Sequence, residues 1–357
     1  MNDCGLNDIC FLIPSLDPDE KMPKNVRELI GLGAKHVLIV DDGSKEENKH
    51  FFNELKDLKE VNILVHDVNK GKGRALKTAF SYIVENMLEI KGVVMADADG
   101  QHAPDDVIKC ADVLLKTNNI VFGTRNFNEE IVPFKSRNGN KITSVVFKLL
   151  YGKWVNDTQT GLRGLPIDYL PTCIKLEGER FEYEIAMLIK IVEDGKKIEE
   201  VPIKTIYFES NRATHFNTFK DSFKIYKVMF KTFFKYMISS LLSFLIDITL
   251  YTLLFNLVFN KAVPNKAILY STILARVVSS LFNYLCNRNA VFKSKTNAGK
   301  TVIEYYILAI CQMLVSSYLV SFVFSKLSIN TSIIKLFVDA ILFIVSYQIQ
   351  HKYIFKE

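Results

Sequence analysis

Several things are missing from this chain, and each narrows what it can be. Its six cysteines (Cys4, Cys10, Cys110, Cys173, Cys286 and Cys311) are scattered without metal-ligand spacing. No metal site is read from them, and in a reducing compartment they are expected as thiols, most of them packed in cores. No Gly-x-Gly-x-x-Gly follows the first expected strand, which counts against a dehydrogenase. Lys70-Gly71-Lys72-Gly73 lacks the spacing of a Walker loop and reads either as a phosphate contact or as a flexible turn with solvated lysines. Met1-Asn2-Asp3-Cys4 has no basic region running into an apolar one, so no cleavable signal peptide is expected. The first domain is then expected in the cytoplasm. The net charge of +6 is too modest to call for nucleic acid, and lysines beside the apolar segments account for it better.

Charge itself becomes scarce after about residue 230. Four apolar segments follow, near 236–258, 267–291, 302–325 and 331–350. Each is long enough to cross a bilayer core, which takes about 20 helical residues; the alternative is a set of buried helices in a large soluble domain. Ahead of them, Lys220, Lys224, Lys227, Lys231 and Lys235 alternate at helical spacing with Phe216, Phe219, Phe223, Tyr226, Phe230 and Phe233. Such a helix can lie in the bilayer interface or pack on the soluble domain. The expected layout is a cytoplasmic domain over 1–215, an amphipathic helix over 216–235 and a four-helix membrane domain over 236–357. Asp247, Arg276 and Asp339 fall near the middle of their spans. A charge at such depth costs roughly 2.5–3.5 kcal/mol, so Arg276 is expected to face the bundle interior and pair with Asp247, Asp339 or both.

What the first half holds is alternation. Strands are read at Asp8–Pro14, His36–Val40, Asn62–His66, the run into Asp97, and Ile120–Gly123, with helices between them. This predicts an α/β fold, a doubly wound, mainly parallel sheet. Such sheets bind ligands at the carboxyl ends of their strands. Ser15 to Glu20, Asp41 to Ser44 and Asp97 to His102 all lie at such ends. Gly92-Val93-Val94-Met95 runs into Asp97 and Asp99, spaced i, i+2, so that at a frayed strand end both carboxylates share a face; Gln101 continues the alternation. Hard oxygen ligands of this kind suit Mg²⁺ or Mn²⁺ gripping a diphosphate. His102 reads as a turn cap or as an acid–base group.

Ile13-Pro14-Ser15, Val40-Asp41-Asp42-Gly43-Ser44, Asn69 to Gly73, Asp97-Ala98-Asp99-Gly100-Gln101-His102 and Gly123-Thr124-Arg125 occur in the order of family 2 glycosyltransferases of the GT-A fold, which residues 8–215 resemble. Ser136-Arg137-Asn138-Gly139-Asn140 and Asp157-Thr158-Gln159-Thr160-Gly161 are similar to the branch that makes polyprenyl-phosphate sugars, as dolichyl-phosphate mannose synthases do. The resemblance implies a nucleotide site at Pro14, Ser15, Asp41, Asp42, Lys70 and Asp97, and a metal held by Asp97, Asp99 and Gln101. It puts Arg125, Arg137 and Lys141 on the acceptor phosphate, with Asp99, Arg125 and Arg137 as the catalytic set. His215, in a segment like the family's Ser-His-Phe, either touches the acceptor or does not. The family's Pro-x-Tyr-Asn-Glu is replaced by the longer Pro14-Ser15-Leu16-Asp17-Pro18-Asp19-Glu20, so either Asp19 or Glu20 is expected to face the nucleotide.

Beyond residue 232, Ala275-Arg276, Phe282-Asn283-Tyr284, Asn287-Arg288-Asn289-Ala290-Val291-Phe292 and Gln350-His351-Lys352-Tyr353-Ile354-Phe355 resemble GtrA-like four-helix membrane domains. Together the resemblances imply inverting, metal-dependent transfer of a single sugar from a nucleotide-diphosphate sugar to a polyprenyl phosphate at the cytoplasmic face of the cell membrane. A lipid monophosphate is already an anion at neutral pH; it needs positioning by arginine forks, not a strong base. The competing readings are a lipid-linked sugar transporter or scaffold with a vestigial transferase domain, and a processive polysaccharide synthase. The latter carries Gln-x-x-Arg-Trp, and the only tryptophan here is Trp154. Homo-oligomerisation is left open.

Overall fold

The computed structural model describes residues 5–206, 218–259, 263–327 and 330–355. The chain divides into two compact units, Met1–Lys148 with Lys153–Met229, and Leu149–Gly152 with Phe230–Glu357.

The first unit is built on a seven-stranded sheet of order β3-β2-β1-β4-β6-β5-β7. The strands are β1 (Ile9–Ser15), β2 (His36–Asp41), β3 (Val61–Val65), β4 (Gly92–Met95), β5 (Ile120–Arg125), β6 (Arg163–Pro166) and β7 (Ile198–Ile203). β1 runs parallel to both β2 and β4, and β5 parallel to β7. β6 alone is antiparallel to its neighbours β4 and β5. Helices α1 (Lys21–Gly31), α2 (Lys49–Asn53), α3 (Lys72–Asn86), α4 (Pro104–Thr117), α5 (Phe134–Tyr151), α6 (Leu170–Ile174) and α7 (Glu182–Glu193) connect the strands. The near-continuous apolar runs Ile9 to Ile13 and Val37 to Val40 are buried, as befits strands covered by helices on both faces. The fold is therefore the expected doubly wound, mainly parallel α/β sheet. Strand order turns back between β1 and β4, which makes their carboxyl ends the switch point where such sheets open a crevice.

One local expectation is corrected. β4 ends at Met95, so Asp97 and Asp99 are carried on a turn and not on a frayed strand. Pairing to β1 and β6 stops at Met95. Beyond it one main-chain bond remains, from the Ala96 N–H to the Leu12 carbonyl (2.9 Å), and the turn is then held by side chains: the Asp97 N–H donates to His102 Nδ1 (3.1 Å) and the Gln101 N–H to Asp99 (3.0 Å).

Among the described residues four helices are long and apolar enough to span a membrane, the first beginning in the first unit and the other three lying in the second, and the chain is a multi-pass membrane protein. They are α8 (Thr218–Leu253), α9 (Pro264–Cys286), α10 (Ala298–Leu327) and α11 (Thr331–Ile349). π-helical turns extend α8, α9 and α11, at Leu254–Val258, Asn287–Val291 and Gln350–Ile354. The lysine-bearing stretch and the first span form one continuous helix, with no break near residue 235. Arg276 pairs with Asp247 at 3.2 Å, but its side chain is 71% exposed within the chain and so does not face the bundle interior. Asp339 pairs with Lys335, one turn earlier on its own helix, at 2.9 Å, and accepts from Ser316 at 2.6 Å.

Candidate active site

A cleft of about 680 Å³ opens at the β1/β4 switch point. Pro14 and Ser15 from β1, Asp42 from the end of β2, and Asp97, Asp99 and Gln101 from the turn after β4 all line it. Six of the residues expected at the site are thus brought together, because parallel strands put their carboxyl ends on one edge.

Asp42 is the anchor of the wall. One oxygen lies 2.7 Å from His66 Nδ1 and accepts the Lys70 N–H (3.0 Å), while the other accepts the Gly71 N–H (2.7 Å). His66 in turn lies 3.0 Å from Thr78 Oγ1. The loop ahead of α3 is therefore hung on a buried carboxylate. Gly71, at φ +100°, packs so tightly against the Glu179 carbonyl that a Cβ would overlap it. Asp41 accepts the Ser44 N–H (2.8 Å), capping its own turn, and is not among the residues lining the cleft. Asp17 ties the first loop to the second by accepting from Lys45 and Asn48.

The two lysines of this loop are placed differently from expectation. Lys70 is exposed and does not line the cleft. Lys72, the first residue of α3, is turned inward, with Nζ 2.5 Å from Asp97 and 2.9 Å from Glu184. Burial works against its charge, but Asp97 and Glu184 outweigh that and hold it above the ordinary lysine range. The difference is one of phase: the Lys70 main chain is committed to Asp42, while Lys72 begins a helix whose inner face looks into the cleft. Glu184 carries no local sequence signal; α7 brings it in from more than one hundred residues away.

Burial raises the Asp97 carboxyl, yet Lys72, then His102, pull it down to about 2. Asp99 is pushed up to about 6, by burial first and by the Asp97 charge second. His102 is lowered to about 4, chiefly by burial. It is neutral at pH 7 and caps the turn by accepting on Nδ1. Asp97 and Asp99 are thus neighbouring carboxylates, the first paired with Lys72 and the second resisting ionisation beside it. Among the described residues no three His, Cys, Asp or Glu side chains form a complete metal cage. The pair fits Mg²⁺ or Mn²⁺ of the kind that takes one or two carboxylates from protein and the rest from substrate phosphates.

The opposite wall comes from β5, α5 and the loop into β6. Arg125 forks onto the fully buried Asp157, through Nε at 2.7 Å and Nη2 at 3.1 Å. It still lines the cleft and lies over the Phe127 ring at 5.1 Å. Gly161 abuts the Asp97 carboxylate so closely that a Cβ would overlap its oxygens. Arg163, wholly buried, donates to the carbonyls of Thr160 (2.9 Å) and Glu184 (2.7 Å), joining the two segments that confine Asp97 and Lys72.

Other expected residues lie elsewhere. Arg137 donates to the Glu129 carbonyl (2.8 Å); its neighbours Ser136 and Gly139 line the cleft, and it does not. Lys141 is exposed on α5, Asp19 pairs with Lys21 at 2.6 Å, and Glu20 is exposed; none of these lines the cleft. In their place the long first loop contributes Leu16 and Pro18. His215 lies outside the described residues.

Residues 13–165 match glycosyl transferase family 2, and residues 235–355 match the GtrA/DPMS transmembrane domain. The UDP-N-acetylglucosamine–dolichyl-phosphate N-acetylglucosaminyltransferase of Methanococcus voltae is 33% identical, across 61% of this chain and 93% of its own length. An uncharacterised protein of Methanocaldococcus jannaschii is 30% identical, across 63% of this chain and 93% of its own length. The chain belongs to glycosyl transferase family 2. It is a glycosyltransferase. The polyprenol monophosphomannose synthase of Mycolicibacterium smegmatis is a more distant relative, 24% identical across 54% of this chain and 75% of its own length.

Proposed function

We propose that this glycosyltransferase moves one sugar from a nucleoside-diphosphate donor to a polyprenyl phosphate, undecaprenyl or dolichyl, at the cytoplasmic face of the cell membrane, inverting the anomeric carbon. One observation carries the reading: a single cleft sets Asp42, Lys72, Asp97 and Asp99 side by side in a chain that also has four span-length helices. The relatives named for dolichyl phosphate and for polyprenol monophosphomannose support the acceptor class. They carry different sugars, so the sugar is assigned by assay.

In the reaction the acceptor phosphate oxygen bonds to the anomeric carbon as the bond to the diphosphate breaks. The attacking phosphate is already anionic, so the protein's task is to place it and to meet the charge that gathers on the leaving diphosphate. Lys72 is the nearest buried cation to the acidic turn, and takes the role expected of Lys70. Arg125, oriented by Asp157, faces the acceptor phosphate. Arg137 acts from behind, holding the loop at Glu129. Asp97 and Asp99, with the Gln101 amide oxygen, would hold Mg²⁺ or Mn²⁺, which supplies Lewis-acid stabilisation of the diphosphate when bound. Asp42 shapes the nucleotide end through the Lys70–Gly71 main chain.

The test supplies radiolabelled nucleotide sugars one at a time to the full-length protein with polyprenyl phosphate in vesicles, followed by organic extraction. Label entering the organic phase only when polyprenyl phosphate is present supports the reading. No transfer from any donor would favour a transporter or scaffold.

A further inference from the structure

Two stretches of the second unit repeat one another. Lys231-Thr232-x-x-x-Tyr236 recurs as Lys300-Thr301-x-x-x-Tyr305, each at the membrane start of an odd-numbered span. Tyr284-x-x-Asn287-Arg288-Asn289-x-Val291-Phe292 recurs as Tyr347-x-x-Gln350-His351-Lys352-x-Ile354-Phe355. Both copies of the second motif run from a helix end into a π-helical turn. Residues of equal rank share their environment: the Tyr, Asn or Gln, Val or Ile, and Phe are buried in both, and Asn289 and Lys352 are exposed in both.

The contacts are reciprocal. Phe292 and Phe355 stack on each other at 5.5 Å. Tyr284 meets Phe355 at 5.8 Å, and Tyr347 meets Phe292 at 5.9 Å. Tyr305 lies 5.5 Å from Tyr284 and 6.4 Å from Phe355. Tyr236 lies 5.3 Å from Tyr347 and 6.0 Å from Phe292. Between the halves, the Asn287 amide donates to Gln350 Oε1 at 3.0 Å. Contacts in which i touches j′ and j touches i′ are the mark of an isologous, two-fold interface.

The correspondence reaches mid-span. Asp247 and Ser316 each lie eleven residues after their tyrosines, Tyr236 and Tyr305; Arg276 and Asp339 each lie eight before Tyr284 and Tyr347. These are the residues that join the helices of each hairpin: Asp247 to Arg276 at 3.2 Å, and Ser316 to Asp339 at 2.6 Å. We infer that the membrane unit is one helical hairpin present twice, α8–α9 and α10–α11, joined about a local two-fold axis through a surface whose fitting partner is a second copy of the same hairpin. The mid-span pairs are one interhelical lock used twice. A hydroxyl–carboxylate bond joins the helices in both halves, Ser279 to Asp247 at 2.8 Å and Ser316 to Asp339, and the salt bridge from Arg276 is added in the first alone, so what recurs is the link between helices and not a charge that a ligand would need.

The test uses the full-length protein in dodecyl maltoside and reads its melting temperature. Asn287→Gln and Gln350→Asn alone each lower it by roughly 5 °C, while the double exchange recovers at least half of the combined loss. An exchange that loses the sum of the single changes overturns the two-fold relation. The pairs Tyr284→Leu with Phe355→Leu, and Tyr347→Leu with Phe292→Leu, should show coupling of equal size; coupling in one and none in the other overturns it as well. Transplanting the second lock into the first hairpin (Asp247→Ser, Thr272→Lys, Arg276→Asp) should melt higher than Arg276→Leu alone. A transplant that melts lower refutes the lock.

Discussion

Replacing Lys72 by methionine tests the centre of the cleft most directly. Nζ sits 2.5 Å from Asp97 and 2.9 Å from Glu184. At an effective dielectric near 20, each pair carries on the order of 6 kcal/mol of gross attraction, most of it offset by desolvation. Removing the lysine leaves the partly exposed Asp97 and the largely buried Glu184 without their shared counter-charge, and breaking a pair of this kind costs at most about 3–5 kcal/mol, the fully buried case. If the lysine also meets the donor diphosphate, its loss removes one preorganised charge, worth roughly 100- to 1,000-fold in rate. Lys72→Met should therefore melt several degrees lower and lose two to three orders of magnitude in kcat/KM for the nucleotide sugar, measured by transfer of label into the organic phase. Lys70→Met keeps the main-chain bond to Asp42 and should stay within about threefold of the parent, the scale of an exposed residue. A Lys72→Met enzyme with full kcat/KM, or a Lys70→Met enzyme with the larger loss, would refute the exchange of roles between the two lysines.

Further expectations concern the rest of the cleft. Asp99→Ala should lose at least ~100-fold in rate, and EDTA should abolish parental activity with Mg²⁺ or Mn²⁺ restoring it; full activity of the variant at saturating donor would remove Asp99 from the site. Gly161→Ala should cost activity with little loss of secondary structure, because its Cβ displaces the Asp97 carboxylate; unchanged kinetics would show that Asp97 has room to move. Arg137→Lys should reduce use of lipid phosphate no more than it reduces donor hydrolysis, since Arg137 acts on the loop at Glu129; selective loss of acceptor use would return it to the acceptor phosphate. His102, lowered to about 4, stays neutral as pH falls from 8 to 5 and gains its proton only below that. His102→Asn should then leave the shape of the pH–rate profile over pH 5–8 unchanged, and a lost acidic or basic limb would make His102 a proton-transfer group.

The parallel strands and the acidic turn were legible because their signals are local. Apolar runs ending in Asp or Ser mark buried strands and their carboxyl ends, and Asp42, Asp97 and Asp99 fall where that pattern puts them. That Lys72 and not Lys70 turns inward was not legible, because composition identifies a basic, glycine-rich loop without showing which lysine faces the cleft. Glu184, His66 and Arg163 were not found, since their roles exist only through contacts distant in the chain. The Asp157 motif was visible, but its pairing with Arg125 required β5 and the β6 loop to be neighbours. Arg276 was correctly matched to Asp247, whereas Lys335, one helical turn from Asp339, supplied the other counter-charge unforeseen.

Because β6 runs against its neighbours, it begins where β4 ends, with Arg163 beside Met95. A parallel strand in that place would have obliged the chain to travel to the far edge of the sheet before re-entering. Here the connection after β5 and the connection into β6 both stay on the ligand edge, one at each end of α5. The enzyme thus has two successive connecting segments over a single opening, both fastened to the sheet. Substitutions or length changes in either can reshape what the opening admits while the sheet's register is untouched. One reversed strand in this way gives the fold latitude to change specificity without refolding its core.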